Sequence, residues 1–149
     1  MTSAPSVTGQ REATFKREMT AVIPHLRAFA RGLCGASDVA DDLVQETLLK
    51  AWAARERFEP GTSMRAWTFV ILRNAWLTDL RRNRFRGEYD EQMAERIQTS
   101  PAEQEAPIHL ADLNRALQAL PPERREALLL VGAGGFSYEE AAEICGCAV

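Results

Sequence analysis

The chain has 149 residues, with 46% hydrophobic and 26% charged residues and a formal net charge of −3, enough for one ordinary domain or two small helical ones. No run approaches the roughly 20 apolar residues of a membrane span, and residues 1–10 lack the apolar stretch of a signal peptide, so a cytoplasmic protein with no membrane partner is expected. Three cysteines, with Cys145 and Cys147 in a C-x-C pair and no second ligand pair, point to reduced structural thiols and to no metal site.

In chain order, residues 1–13 are small and polar and read as a disordered tail. Phe15 to Leu33 is helical, with Ile23, Leu26, Ala30 and Leu33 on one face. Pro24 predicts a kink or a division into two helices, and Gly32 and Gly35 end the segment. The next helix runs from Asp38, a candidate N-cap, to Trp52. Val39, Leu43, Val44, Leu48, Ala51 and Trp52 form its apolar stripe. Asp42, Gln45 and Glu46, at i, i+3 and i+4, share a second, polar face that offers acceptors to arginine donors on a partner; a plain solvated face is the alternative.

Arg57 to Ser63 is a loop around Pro60-Gly61. Met64 to Arg84 is a long helix with Phe69, Leu72, Trp76 and Leu80 as its core side. Trp67, Asn74, Thr78 and Arg81 lie on nearly the opposite side. An aromatic, an amide, a hydroxyl and a guanidinium together suit base stacking, base-edge contact and phosphate neutralisation. Half-buried packing of Trp67 and a solvated arginine end remain open as alternatives. Charge is strongly segregated: residues 62–87 hold six arginines, among them Arg73, Arg81, Arg82 and Arg84, against Asp79, whereas residues 88–107 hold six carboxylates against Arg96. A basic block beside an acidic one suggests a polyanionic partner.

Residues 88–107 lose periodicity and read as a linker. Leu110, Leu113, Leu117 and Leu120 then mark a helix. Pro121-Pro122 breaks it and starts another carrying Leu128, Leu129 and Val131, which ends within Gly132 to Gly135. Ser137-Tyr-Glu-Glu140 is a capping box opening a short helix to Cys145, followed by Gly146. A short capped helix ending in glycine is the first half of a helix-turn-helix; the second helix, which would enter the major groove, is not in the chain. The expected fold is all-α. Two small helical domains, 14–87 and 108–149, flank the acidic linker.

Together these segments resemble a bacterial sigma factor of the extracytoplasmic-function group. Asp41-Asp-Leu-Val-Gln-Glu-Thr-Leu-Leu-Lys-Ala-Trp52 is similar to the core-binding segment of the first sigma domain. Trp67-Thr-Phe-Val-Ile-Leu-Arg-Asn74, continuing to Asp79, Arg81 and Arg82, is similar to the segment that melts and reads the minus-10 element. Leu120-Pro-Pro-Glu-Arg-Arg-Glu126, with Gly135-Phe-Ser-Tyr-Glu-Glu-Ala-Ala142, is similar to the start of the second, sigma-4 domain. Ile23 to Arg31 and Leu130 to Phe136 resemble the EcfG subgroup, which directs the general stress response of alphaproteobacteria.

The resemblance implies partners and sites. Asp42, Gln45 and Glu46 would contact the beta-prime clamp helices of core RNA polymerase. The loop Glu59 to Met64, including Thr62 and Ser63, with Asn74 behind it, would capture a flipped base of single-stranded minus-10 promoter DNA. Trp67, Arg73, Thr78, Arg81, Arg82 and Arg84 complete the expected DNA-binding set. An anti-sigma factor of the NepR type is the implied regulator, and without the recognition helix the chain is expected not to read a minus-35 element. The alternative is a sigma-like mimic that sequesters an anti-sigma factor. His25 and His109 are isolated and no nucleophile is paired with a base, so neither an enzyme nor a cofactor is expected.

Overall fold

In the computed structural model, which describes residues 4, 6–84 and 108–148, the longest element is helix α1, Val7–Cys34. Ser6 caps it, its side chain accepting from the Gly9 N–H at 3.2 Å. At the far end Gly35 takes a left-handed φ of 78° and returns its N–H to the Arg31 carbonyl at 2.8 Å. Pro24 lies inside the helix and neither ends nor divides it. Burial of Phe15, Val22, Leu26, Phe29, Ala30 and Leu33 on both sides of the proline outweighs a penalty of about 3 kcal/mol, at roughly 1.5–3 kcal/mol for each large side chain. Residues 7–13, expected as tail, are helical. They are held by polar contacts that periodicity does not reveal: Arg11 donates to the Phe58 carbonyl at 3.3 Å, and Glu12 pairs with Arg55 at 3.6 Å.

Helix α2, Ser37–Ala53, is capped by the backbone of Ala36, not by Asp38, which sits in the first turn. Its buried stripe is Ala40, Leu43, Val44, Thr47 and Ala51, with Val39, Leu48 and Trp52 partly buried beside it. A short turn of 3-10 helix, Arg55–Arg57, leads through the Gly61 turn (φ 87°) to helix α3, Met64–Arg84. These three helices form a bundle. Phe29 of α1 stacks on Phe69 of α3 with centroids 4.7 Å apart and planes 11° from parallel. Leu72 and Trp76 are buried as the spacing predicts.

Helix α4, Ile108–Ala119, starts the second half. Only the C-terminal part of its leucine row serves the fold: Leu117 is buried, whereas Leu110 and Leu113 are 55% and 54% exposed. Helix α5, Pro122–Leu128, begins with Pro122 in the first turn and widens into a π turn over Leu129–Ala133. Helix α6, Tyr138–Cys145, carries the expected capping box: Ser137 Oγ accepts from the Glu140 N–H, and the Glu140 carboxylate accepts from the Ser137 N–H. All regular structure among the described residues is helical.

The second half docks on the first. Leu117, Leu129, Leu130, Phe136, Ala141 and Ile144 belong to the same apolar cluster as Phe29, Leu33 and Phe69. Phe136 meets Phe69 edge-on at 5.3 Å. The expected linker, 88–107, lies outside the described residues. Because one core serves both halves, Leu130→Ala should lower the stability of the whole chain by about 2–5 kcal/mol. Thermal unfolding followed by circular dichroism should show one cooperative transition moved down in temperature. Loss of a separate early transition, with the main melt unmoved, would contradict a shared core.

Candidate nucleic-acid and polymerase surfaces

The α2 stripe built on burial of Leu43, Val44 and Thr47 leaves its opposite side to solvent. Asp42 and Gln45 are exposed there; Glu46 is half-buried and pairs with Lys50 at 3.0 Å, one turn on. Asp79 of α3 faces the same edge. Burial raises its carboxyl above the ordinary range, the Glu46 charge raises it further, and Arg82 and Lys50 oppose the shift. The acidic edge of α2 and the arginine end of α3 are therefore electrostatic neighbours.

The structure splits the expected DNA-binding set. Asn74 and Thr78 are exposed one turn apart on α3, with the Thr78 hydroxyl donating to the Asn74 carbonyl at 2.9 Å. Arg81 and Arg82 are exposed beyond them. Arg84 closes the helix. Thr62 and Ser63 are exposed at the entry to α3, but their hydroxyls are engaged locally. Thr62 donates to the Glu59 carbonyl at 2.6 Å, and Ser63 accepts from the Ala66 N–H at 3.1 Å, capping the helix.

Trp67 stands apart from this surface. Its ring is half-buried against Phe58 and Phe15, with centroids 5.1 and 5.9 Å away. Half-buried packing, the alternative left open for this tryptophan, describes its place in the fold, with Phe15 of α1 supplying an aromatic partner. Arg73 is also diverted. Its Nε donates to the carboxylate of Glu126, which is 3% exposed, and the Cys145 Sγ donates to the same oxygen at 3.0 Å.

Residues the sequence reading passed over join the halves. Arg125 donates to the carbonyls of Leu33 at 2.8 Å, Leu117 at 2.9 Å, Leu120 at 3.0 Å and Gln118 at 3.3 Å. Gln118 donates to the Gly32 carbonyl and Asn114 to that of Gly35, both at 3.0 Å. Arg125 and Glu126 were visible within the Leu-Pro-Pro-Glu-Arg-Arg-Glu motif, but nothing in its spacing shows which helices they reach.

Residues 19–86 match the Sigma-70 region 2 family model, and residues 110–149 match Sigma-70, region 4. The chain is 48% identical over 137 residues to the ECF RNA polymerase sigma factor EcfG of Rhodopseudomonas palustris, covering 91% of this chain and 75% of that one. The chain belongs to the ECF RNA polymerase sigma factors. The RNA polymerase sigma factor CarQ of Myxococcus xanthus is 33% identical, over 83% of this chain and 71% of its own. Among solved structures, the sigma factor RpoE of Bartonella quintana, in complex with the anti-sigma factor NepR, superposes with a TM-score of 0.73 at 44% identity, covering 91% of this chain and 84% of that one. CnrH, in complex with the cytosolic domain of CnrY, superposes at 0.65 with 26% identity, covering 92% and 76%.

In this sigma factor the thiols report on the seam between the halves. Burial pushes Cys34 up to about 12, with the Asp79 charge adding to the shift and Arg125 opposing it. Burial also pushes Cys145 up to about 12, reinforced by its hydrogen bond to Glu126. Thiolate, the nucleophile, is then scarce at both sites at pH 8. Iodoacetamide at pH 8 should modify exposed Cys147 alone in the native chain and all three cysteines in denaturant, as read by intact mass. Rapid native labelling of Cys145 would show that its side of the seam is open.

Proposed function

We propose that this sigma factor binds core RNA polymerase through Asp42, Gln45 and Glu46 and directs initiation by holding single-stranded minus-10 DNA along α3. The observation that carries the reading is the pairing of two exposed polar surfaces on one bundle: the acceptor edge of α2 and the Asn74, Thr78, Arg81 and Arg82 face of α3. Acceptors at i, i+3 and i+4 suit arginine forks on the clamp helices of the beta-prime subunit. On α3 the amide can meet a base edge while the arginines position phosphates. Extruding a base costs a few kcal/mol, and the exposed loop with Thr62 and Ser63 beside the start of α3 offers it a place. The likeness to EcfG supports a role in a general stress response.

The chain acts by binding and not as an enzyme, and it works in the cytoplasm beside the polymerase. Among the described residues no helix is long and apolar enough to cross a membrane. The match to RpoE bound to NepR supports an anti-sigma factor of that type as its regulator. A sigma-like decoy needs only the surface that an inhibitor grips; retention of an arginine and amide face on α3 favours the initiation factor.

Two substitutions on the α2 edge test the polymerase contact. Gln45→Ala with Glu46→Arg should weaken binding to core polymerase in a pull-down titration. The melting curve should shift little, by roughly 0.5 kcal/mol or less, because the stripe is on the solvent side. Unaltered core affinity would remove these residues from the interface. On α3, replacing Arg81 and Arg82 with Gln should flatten the log–log salt dependence of holoenzyme binding to minus-10 single strand by about 1.4, at roughly 0.7 per phosphate contact. A slope equal to that of the unaltered protein would assign both arginines to solvent.

A further inference from the structure

The outward side of α1 carries charge that the fold leaves unanswered. Lys16, Thr20, Arg27 and Arg31, at i, i+4, i+11 and i+15, return to one side of a helix of 3.6 residues per turn, and Arg17 flanks them. All five are exposed. Among the described residues, none of the four cations forms an ion pair. Lys16 lies over the Trp52 ring at 5.1 Å and Arg17 donates to the Thr14 hydroxyl at 3.3 Å, contacts that neutralise neither charge. The carboxylates of the helix are engaged elsewhere. Glu12 is paired with Arg55, and Glu18 lines the cavity between the start of α1 and the turn at Gly61. Arg27 and Arg31 are a like-charge pair one turn apart, an arrangement that works against the helix.

We propose that this side of α1 is a second phosphate-binding face, separate from α3, which takes the backbone of duplex DNA without reading its sequence. The composition of the face selects the partner. A protein partner would need an apolar centre inside a polar rim, and the space among the cations holds only Thr20, Pro24 and Ala28. A membrane surface would need an apolar face to insert, and that face of α1, with Phe15, Leu26 and Phe29, is buried in the core. Single strands are held by stacking on aromatic rings, and the Trp52 ring beside Lys16 is already occupied by that lysine and by Arg55 at 4.3 Å. What remains is a row of cations on one capped helix. From Lys16 to Arg31 the row spans about 22 Å at 1.5 Å per residue, the axial length of about six base pairs. Contacts of this kind position a protein on DNA and carry no base information. The four cations give up no carboxylate when a phosphate arrives, and the face does not depend on the reading of α3.

The test uses the whole chain and a short fluorescein-labelled duplex of arbitrary sequence, with binding read by anisotropy over a salt series. Arg27→Gln with Arg31→Gln should weaken binding and flatten the log–log salt slope by about 1.8, at roughly 0.9 per phosphate contact for duplex DNA. A duplex of scrambled sequence should show the same loss. Arg27→Lys with Arg31→Lys keeps both charges and should keep the slope of the unaltered chain. Arg115→Gln with Arg124→Gln removes as much charge from exposed positions of the second half and should leave the slope in place. If Arg27→Gln with Arg31→Gln melts early by circular dichroism, Lys16→Gln with Arg17→Gln removes two cations from the other end of the row and should flatten the slope equally. No duplex affinity at low salt, an unchanged slope, or equal flattening by the Arg115 and Arg124 pair overturns the proposal. A loss confined to core polymerase binding also overturns it and assigns the face to a protein partner.

Discussion

The carbonyls at the C-terminal end of α1 set the architecture. A helix end leaves its last carbonyls without partners inside the helix, and here the end is packed against another part of the chain. Gly35 satisfies Arg31 from within. The next donors all come from the second half: Gln118 to Gly32, Arg125 to Leu33 and Asn114 to Gly35. Arg125 simultaneously serves three carbonyls at the end of α4, so one planar guanidinium ties two helix ends together. Burial lowers its pKa from the ordinary arginine value, yet a guanidinium does not deprotonate in a protein. A lysine could not present that fan of donors. Gly32 permits the approach, because a Cβ there would meet the Leu129 side chain at 2.5 Å.

Once α1 and α4 are fixed end to end, the remaining contacts follow. Leu129 and Leu130 settle on the end of α1, the π turn brings Phe136 to the edge of Phe69, and Glu126 is delivered to Arg73. The consequence for function is unequal access. The acceptor edge of α2 stays open, whereas α3 is divided between a face turned to solvent at Asn74, Thr78, Arg81 and Arg82 and a face covered by the second half. The two exposed polar edges proposed as binding surfaces therefore differ in how much of their helix the second half covers.

Much of this was legible in the residues because it depends on local pattern. The α2 stripe, the Phe69, Leu72 and Trp76 core, the Pro122 start and the Ser137–Glu140 box are short-range features governed by helical period and capping chemistry. Most of the departures have long-range causes. Residues 7–13 are helical through Arg11 and Glu12 reaching the Phe58 and Arg55 region. Pro24 is carried by burial on either side of it. Ala36, not Asp38, caps α2. Trp67 turns inward because Phe15 and Phe58, distant in sequence, meet it. Arg73 reads as a phosphate contact in its own helix, and only the placement of Glu126 shows what holds it. Leu110 and Leu113 continue a leucine row that the fold leaves exposed, since period alone does not say where packing stops.

The closure of the two halves in the free chain is the claim from which the rest follows, and the Phe69 and Phe136 rings report it directly. Their centroids are 5.3 Å apart, close enough for proton–proton cross-relaxation between aromatic side chains. A nuclear Overhauser spectrum of the full chain, with aromatic-selective labelling and no polymerase or inhibitor, should show Phe69–Phe136 cross-peaks. Cross-peaks from Phe136 confined to residues of the second half would contradict the account.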